Sequence, residues 1–462
     1  MSMHNLPGTR KLRGHIANRN EYSDDLSILN KFHISKDPAW PNPACEVIKT
    51  DLSNQTRFFD IKVTLMPKKY CLAILLMIAA GTSVAEAAPK DKPTSAIENG
   101  GTNQASAPAT NTLSDQPMFK FGGFGTLGLS HSSLNLGDYI LDSTMPKGTG
   151  RSSEWSSSNN SKIAAHLNAS FTPSVSAVLQ VISEYHADGT YRPEVEWLNV
   201  KYSFNPNTYV RAGRIALPTF MNSENRDVGY SYTWVYPPVD LYHQQSIPSS
   251  DGIDAMYRFE IGEASNSIKA IFGRNTLERP TSITTSKDMW GIFDNLEYDE
   301  ATFHLGYQER LSSTQSATAL PGVWNKNKDL SVGASYDPGN WFAMSEWMQR
   351  RSTYKVGAMY VSAGYRINKF TPYLIHSQNS RGSFLQSSPP PTATLLLLSD
   401  RSQSTNSLGT RWDFMRNYDL KVQYDRITLS DSSNGYLINV PANITLYGTT
   451  FHVISAVVDF VF

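Results

Sequence analysis

The charged residues with the clearest chemical potential lie in and around one long polar stretch, residues 217–251. Its carboxylates are Glu224, Asp227, Asp240 and Asp251, and the bases in the flanking segments are Lys201, Arg211, Arg214, Arg258 and Lys269. Acids that face bases across a narrow space create a transverse electric field, which acts on ions and polar solutes. The alternative for each of these charges is a solvated position at a rim.

Arg211 and Arg214 are three positions apart in a segment that alternates as a β-strand does. Successive side chains of a strand point to opposite faces, so an unbroken strand cannot direct both guanidinium groups to one side. We therefore expect either that one of the two lies at a strand end or that a β-bulge separates them.

The 217–251 stretch has the composition of a segment that packs. It is 35 residues long, and connections of this length are uncommon unless they have a task or are disordered. It contains aromatic residues and a stiff pair of prolines: Tyr230, Tyr232, Trp234, Tyr236, Tyr242 and Pro237-Pro238. These side chains favour packing against a wall; the alternative is that they stack on sugar rings or other planar solutes.

Residues 118–462 consist of short segments in which apolar and polar residues alternate. In residues 252–261, for example, Ile253 belongs to the apolar face and Asp254 to the polar face. Such alternation is typical of β-strands with one apolar and one polar face. Sixteen candidate strands begin near residues 118, 161, 177, 194, 208, 252, 267, 288, 301, 329, 340, 354, 370, 405, 418 and 449.

The connections between these strands favour a barrel over a sandwich. Tight-turn sequences such as Asp337-Pro338-Gly339 alternate with connections that include long polar stretches such as 132–160 and 379–404. This asymmetry is typical of outer-membrane barrels. Because hydrocarbon offers the backbone no hydrogen-bonding partner, the strands of such a protein must close into a cylinder. We predict an all-β fold, a 16-stranded antiparallel transmembrane β-barrel.

Composition and motifs exclude several other classes. The 41 basic and 41 acidic residues balance, so a nucleic-acid partner is not expected, and two cysteines exclude a disulfide scaffold. The chain has no HExxH, GxSxG or Walker-type run, so we expect no enzyme, no metal and no cofactor. The competing hypotheses are a barrel enzyme that uses dispersed residues such as His304, His376 and His452, and a non-conducting adhesin.

Residues 66–87 have the layout of a secretory signal peptide, with a basic start, an apolar run and a small-x-small cleavage site. We expect Met66 to be the true start and residues 1–65 to be a mis-assigned extension; the alternative is a cytoplasmic extension before an uncleaved anchor. Residues 88–117 contain almost no large apolar side chains and are expected to form a flexible periplasmic leader. Residues 118–462 then form the barrel.

Two segments resemble those of a known family. The last strand alternates apolar residues and ends in Phe462, which resembles the assembly signal of Gram-negative outer-membrane barrels. Residues 209–252 resemble the fifth strand and third loop of Gram-negative porins, and more narrowly a proteobacterial porin group with a GR…P…DVGY…W…PP…Y…DG run. That porin group is expected to have a basic residue before the two prolines, whereas this chain has Tyr236. A role for charge at this position is therefore in doubt.

The resemblance implies an outer-membrane porin whose long third loop folds into the pore and narrows it. The implied function is passive diffusion of ions and small hydrophilic solutes, and the alternative is a channel selective for a sugar or another small organic solute. The implied partners are outer-membrane lipid, the barrel assembly machinery acting through the strand that ends in Phe462, and two further copies in a homotrimer.

Overall fold

The computed structural model describes residues 118–245, 247–316, 323–380, 383–384 and 400–462. The predicted extension 1–65, signal peptide 66–87 and leader 88–117 lie outside the described residues. None of the helices among the described residues is long and apolar enough to cross a membrane.

Sixteen long strands form one closed antiparallel sheet. They are β1 (Phe119–Ser132), β2 (Lys162–Ser170), β3 (Val175–Ser183), β4 (Glu194–Asn205), β5 (Thr208–Ala216), β6 (Ser249–Ile261), β7 (Ala264–Arg279), β8 (Ser282–Tyr298), β9 (Ala301–Ser316), β10 (Asn325–Tyr336), β11 (Trp341–Arg351), β12 (Tyr354–Tyr365), β13 (Phe370–Asn379), β14 (Gln403–Met415), β15 (Tyr418–Leu429) and β16 (Thr450–Val461). Each strand pairs with its neighbour in sequence, and β1 pairs with β16 from Phe124↔Val461 to Ser132↔Val453. The predicted 16-stranded barrel is confirmed.

Some strands begin earlier than the alternation predicts. The largest difference is in β8, which begins at Ser282 and not near residue 288. The added residues are mostly polar, and their backbone groups pair with the outer end of β9, from Ser282↔Ser316 to Lys287↔Leu311. Hydrogen bonding therefore continues the sheet beyond the stretch in which apolar residues mark one face.

The two faces of the barrel differ in chemistry. Residues that alternate on one face are apolar and exposed, such as Leu127 and Leu408, with 64% and 57% of their surface accessible. Residues between them on the other face are polar and buried, such as Thr126 and Asp254. We call these the apolar face and the polar face; the first is outside and the second inside, as closure in a membrane requires.

Aromatic residues are concentrated near the strand ends that adjoin the tight turns. Phe370 of β13 stacks on Trp412 of β14, with ring centroids 5.6 Å apart. Tyr418 of β15 stacks on Phe460 of β16, with a centroid distance of 5.9 Å. Their positions agree with an aromatic girdle, which anchors a barrel at the membrane interface.

The longer connections lie at the opposite end, which we call the outer end. The first and last outer connections pair with each other in a small sheet formed by Asp138–Tyr139, Thr149–Gly150 and Leu437–Ile438. Further short strands are Trp155–Ser156 and Ser383–Phe384. The connection between β5 and β6, residues 217–248, contains a 3-10 turn at Gly229–Ser231 and one short helix, α1 (Val239–Tyr242).

Candidate functional site

The 217–248 segment packs against polar-face residues of strands β11–β16. Its aromatic and aliphatic side chains form an apolar cluster with residues of β11, β12 and β13: Phe220, Tyr232, Trp234, Leu241 and Tyr242 with Phe342, Met348, Ala358, Tyr360, Tyr373 and Ile375. The Trp234 indole also donates a hydrogen bond to Ser362 Oγ at 2.9 Å. Burial of these rings stabilises the segment, and the indole hydrogen bond fixes its position.

Glu346 of β11 is the principal polar anchor on this side. Its Oε1 accepts hydrogen bonds from the hydroxyls of Tyr242 at 2.9 Å and Tyr360 at 2.8 Å, and its Oε2 accepts one from the Met221 amide at 2.8 Å. Only 1% of Glu346 is exposed. A buried carboxylate is tolerated because its lone pairs are satisfied, two of them by the 217–248 segment.

Bases of β14 and β15 hold the backbone of the 3-10 turn. Lys421 Nζ donates to the Gly229 carbonyl at 2.6 Å. Arg411 Nη1 donates to the carbonyls of Tyr230 at 2.8 Å and Tyr232 at 3.0 Å. Charged donors make the stronger hydrogen bonds of proteins, so these contacts attach a part of the segment that has no helix or strand partners.

Asp240 of α1 lies against β13 and β14. It accepts hydrogen bonds from Ser377 Oγ at 2.6 Å and Gln403 Nε2 at 2.8 Å, and no base pairs with it among the described residues. Burial raises the pKa of Asp240 to about 6, although the hydrogen bonds act in the opposite direction. Asp240 therefore anchors α1 and faces no open space.

On the other side of the segment is a cavity of about 520 Å³. Strands β1–β7, the first and second outer connections and the segment itself line it, and no residue of strands β8–β16 does. The charged lining residues are Asp142, Lys162, Glu184, Arg192, Glu194, Glu196, Arg214, Arg226, Asp227 and Glu278. The segment thus contacts polar-face residues of β11–β16 and also borders this cavity.

Asp227 lies at the centre of the charges in this cavity. Its Oδ1 is 2.7 Å from Lys162 Nζ, and its Oδ2 is 3.9 Å from Arg226 Nε. Burial alone would raise the pKa of Asp227, but Lys162 and Arg226 outweigh burial and hold the pKa well below its ordinary range. Arg226 also donates to Asp142 Oδ2 at 3.0 Å, which ties the segment to the first outer connection.

Two further carboxyl groups adjoin Asp227. Glu196 of β4 lines the same cavity and accepts a hydrogen bond from Gln180 Nε2 at 2.7 Å. Glu184 follows β3, and burial together with the charge of Asp227 raises its pKa above the ordinary value. Neither glutamate nor Lys162 was predicted as a site residue, although Lys162 lies on the polar face of an alternating segment, which is a signal that sequence reasoning could have used.

A second network joins the segment to β5, β6 and β7. Lys269 Nζ is 2.6 Å from Glu224 Oε1, and Arg211 Nη2 is 3.7 Å from the same oxygen. Arg211 Nε donates to both carboxylate oxygens of Asp254, at 3.0 and 3.1 Å. Lys269 and Arg211 lower the pKa of Glu224 against the effect of its burial. The structure therefore brings together three predicted site residues, Glu224, Lys269 and Arg211. Asp254, which was not predicted, also belongs to this network.

The strands direct Arg214 and Asp251 away from the polar face, although Arg214 also borders the cavity at the outer end of β5. Arg214 Nε is 2.7 Å from Asp251 Oδ1, and the two pair across β5 and β6. Asp251 alternates with Ile253, which is 54% exposed on the apolar face. No bulge interrupts this pairing, and Arg214 lies two residues from the end of β5. Asp251 also belongs to β6 and not to the connection.

Lys201 and Arg258 lie on the polar face, toward the tight turns. Lys201 pairs with Arg211 across β4 and β5, and its Nζ is 5.6 Å from the centre of the Tyr209 ring. The Arg258 backbone amide donates to Asn207 in a tight turn. Neither base contacts a predicted acid in the described residues.

Another cluster that sequence reasoning missed lies on β9, β10 and β11. Asp329 accepts hydrogen bonds from Arg310 Nη1 at 2.5 Å and Arg350 Nε at 2.7 Å, and all three side chains are largely buried on the polar face. One carboxylate thus joins two guanidinium groups on this side of the interior. No group of three or more potential metal ligands occurs in the parts of the chain that the structure describes.

The comparisons with known proteins agree with this architecture. No protein-family model and no curated protein matches the chain in sequence. The outer membrane channel DcaP of Acinetobacter baumannii is similar in structure, with a TM-score of 0.50 and 11% identity over 74% of this chain and 97% of that chain. An anion-selective porin from Comamonas acidovorans aligns with a TM-score of 0.49 and 12% identity over 74% of this chain and 99% of that one. The chain shares the barrel fold of Gram-negative outer-membrane porins.

Proposed function

We propose that the chain forms a water-filled channel in the bacterial outer membrane, through which ions and small hydrophilic solutes diffuse passively. The closed sheet with an apolar outer face and a polar inner face supports insertion in a membrane. The barrel fold shared with outer-membrane channels supports the same location. In this proposal the chain is a channel and not an enzyme.

One observation carries the proposal: the 217–248 segment is attached to β11–β16, and a charged cavity of about 520 Å³ remains beside it. Asp227 and Glu224 of the segment also reach Lys162 of β2 and Lys269 of β7, so the segment crosses the interior and narrows it without filling it. We take this segment as the constriction, with Asp227 and Glu224 as its acids and Lys162, Lys269 and Arg211 as the facing bases.

The lining of the cavity favours cations over anions. Its carboxyl groups outnumber its bases, since six acids and four bases line it. A lining with one sign of charge in excess raises the local concentration of the opposite ion. The expected preference is modest because Lys162 and Arg226 offset much of the negative charge of Asp227 and Asp142.

The alternative is a channel selective for sugars or other planar solutes, with the aromatic residues of the segment as a stacking surface. The contacts of these residues favour the simple channel. Trp234 donates to Ser362, Tyr242 donates to Glu346, and Tyr236 donates to Asp425. Rings held in this way serve to attach the segment to the wall.

Single-channel recording in planar bilayers tests the proposal. The purified chain should conduct, and Lys162→Gln should shift the reversal potential in a salt gradient toward stronger cation preference, because Lys162 lines the cavity and faces Asp227. Arg416→Gln is the control, since Arg416 is exposed in the tight turn between β14 and β15, away from the cavity. Conductance no greater than that of a bare bilayer would support a non-conducting adhesin or an enzyme.

We further propose a homotrimer, and assembly directed by the last strand. Phe462 follows β16 and exchanges two backbone hydrogen bonds with Gly123 of β1, at 2.9 and 3.0 Å. The C-terminal residue thus lies at the seam where the barrel closes. Analytical ultracentrifugation in detergent tests the trimer, and a monomer as the only species would contradict it.

A further inference from the structure

A group of bases lies on the apolar face of β9–β12, at the outer ends of the strands. The group consists of Lys326 and Lys328 of β10, Arg351 of β11 and Lys355 of β12, with Glu309 of β9 beside them. Lys328 alternates with the exposed Leu330 and Val332, which places it on the outside of the barrel. We call these five residues the rim patch.

Three bases of the rim patch are direct neighbours in the sheet. Lys328 pairs with Arg351 across β10 and β11, and Arg351 pairs with Lys355 across β11 and β12. Like charges that are directly opposite each other destabilise a sheet unless an anion compensates them. The sheet therefore requires a counter-charge along this row.

The described residues supply only part of that counter-charge. Glu309 is 2.7 Å from Lys326 Nζ and 3.1 Å from Lys328 Nζ, and Arg351 Nε donates to the neutral Gln349 at 3.0 Å. In the sequence, residues 317–322, which connect β9 and β10, contain neither Asp nor Glu. Four bases and one acid leave an excess of three positive charges.

The depth of the rim patch on the barrel indicates which anion can reach it. Toward the middle of the barrel, the next residues on the same face are apolar or aromatic, including Leu330, Leu305 and Trp290. The Tyr307 hydroxyl donates to Glu309 Oε1 at 2.6 Å, so the aromatic residues border the patch directly. Bases just beyond an apolar band lie at the level of lipid headgroups.

We propose that the rim patch binds the phosphate groups of anionic lipids in the leaflet that surrounds the outer end of the barrel. A lipid phosphate lies at the depth of Lys328, Arg351 and Lys355, while its acyl chains contact the apolar face below. A soluble anion lacks this second contact. The inference is independent of conduction, because the patch lies outside the barrel.

Lipid retention measured by native mass spectrometry tests the proposal. The purified full chain is equilibrated in detergent micelles that contain equal amounts of phosphatidylcholine and phosphatidic acid, and the retained lipids are counted. The test variant is Lys328→Gln/Arg351→Gln/Lys355→Gln. The matched control is Lys120→Gln/Lys369→Gln/Arg416→Gln, which removes three exposed bases near the opposite end of the barrel. Circular dichroism establishes that both variants keep the barrel.

The wild type and the control variant should prefer phosphatidic acid, and the test variant should lose about tenfold or more of that preference, because each base near an anionic surface contributes appreciably to binding. An unchanged ratio in the test variant, or an equal loss in the control, would overturn the proposal. Excess inorganic phosphate should leave the ratio unchanged; displacement of the lipid by phosphate would assign the patch to a free anion instead.

Discussion

At the scale of single residues, the field in the cavity depends on how its carboxyl groups are held. Asp227 stays ionised because Lys162 is 2.7 Å from it, whereas burial and the charge of Asp227 raise the pKa of Glu184. Acids with different neighbours thus titrate in different pH ranges. As the pH falls, Glu184 loses its charge while Asp227 retains its own.

The first prediction concerns ion selectivity and pH. Glu184 adds negative charge at neutral pH and becomes neutral as the pH falls through its pKa, which lies above the ordinary value of about 4.3 for glutamate. Cation preference, measured as the reversal potential in a salt gradient, should therefore decline over that range. Glu184→Gln should flatten the decline, and Glu263→Gln, in a tight turn, should not. An identical pH profile for the Glu184 variant and the wild type would contradict the assignment.

The second prediction concerns the attachment of α1. The raised pKa of Asp240, about 6, means that its contribution to stability is fully present below the unfolded pKa of about 3.9 and is lost as the pH rises through 6. Asp240→Asn should therefore stabilise α1 by up to about 3 kcal/mol at pH values above that range and change little at low pH.

Hydrogen exchange of the Leu241 and Tyr242 amides, both of which donate to the Pro238 carbonyl, measures this attachment. The ratio of rates between variant and wild type at one pH removes the intrinsic pH dependence of exchange. Asp251→Asn, on the apolar face, is the control. Equal protection of the Asp240 variant and the wild type above pH 6 would contradict the account.

At the scale of elements, the 3-10 turn of the 217–248 segment approaches the wall closely. Gly229 faces β1 and β16, and a methyl group at this position would collide with the carboxylate of Asp459 and approach the hydroxyl of Thr126 at 2.7 Å. The close approach also allows Lys421 to reach the Gly229 carbonyl. A glycine is therefore required here by space.

The third prediction follows from this contact. Gly229→Ala should displace the turn and weaken its hydrogen bond with Lys421, which lowers the stability of the attached state by about 2 kcal/mol. Limited proteolysis by a protease that cleaves after aromatic residues should become faster at residues 230–236. Gly357→Ala is the control, because the nearest atom to its added methyl group is 3.1 Å away. If the Gly229 variant resists proteolysis as well as the wild type does, the 3-10 turn does not approach the wall as closely as described.

The sequence predicts the strands well because each strand alternates between two chemically different environments. Asp254 and Ile253 illustrate this, since one is buried on the polar face and the other exposed on the apolar face. The outer end of β8 is missed because its Ser and Thr residues carry no apolar periodicity. A pattern of hydropathy locates a strand only where it crosses an apolar layer.

The charge pairs of the site are harder to predict because closure creates them. Glu224 and Lys269 were both predicted, whereas Asp227 contacts Lys162, a residue 65 positions earlier in the chain. In the sequence, Asp240 looks like an acid that lines a pore. In the structure it is buried and hydrogen-bonded to neutral side chains of β13 and β14. That Arg211 and Arg214 point to opposite faces could be predicted, since residues an odd number of positions apart lie on opposite faces of an unbroken strand.

At the scale of the whole molecule, the barrel interior is divided into two unequal environments. Strands β11–β16 carry the apolar cluster and the anchors of the segment, and β1–β7 line the charged cavity. The first and last outer connections pair in a small sheet at the outer end. A solute that crosses the barrel is therefore expected to follow the β2–β5 side.

Cysteine accessibility during conduction tests this claim most directly. Residues 88–462 contain no cysteine, so a single cysteine can be placed either in the cavity, as Lys162→Cys, or beneath the segment, as Ser362→Cys. A negatively charged thiol reagent should change the current of the Lys162 variant within its reaction time and leave the current of the Ser362 variant unchanged. A current that responds only through position 362, or through neither position, would contradict the proposed path.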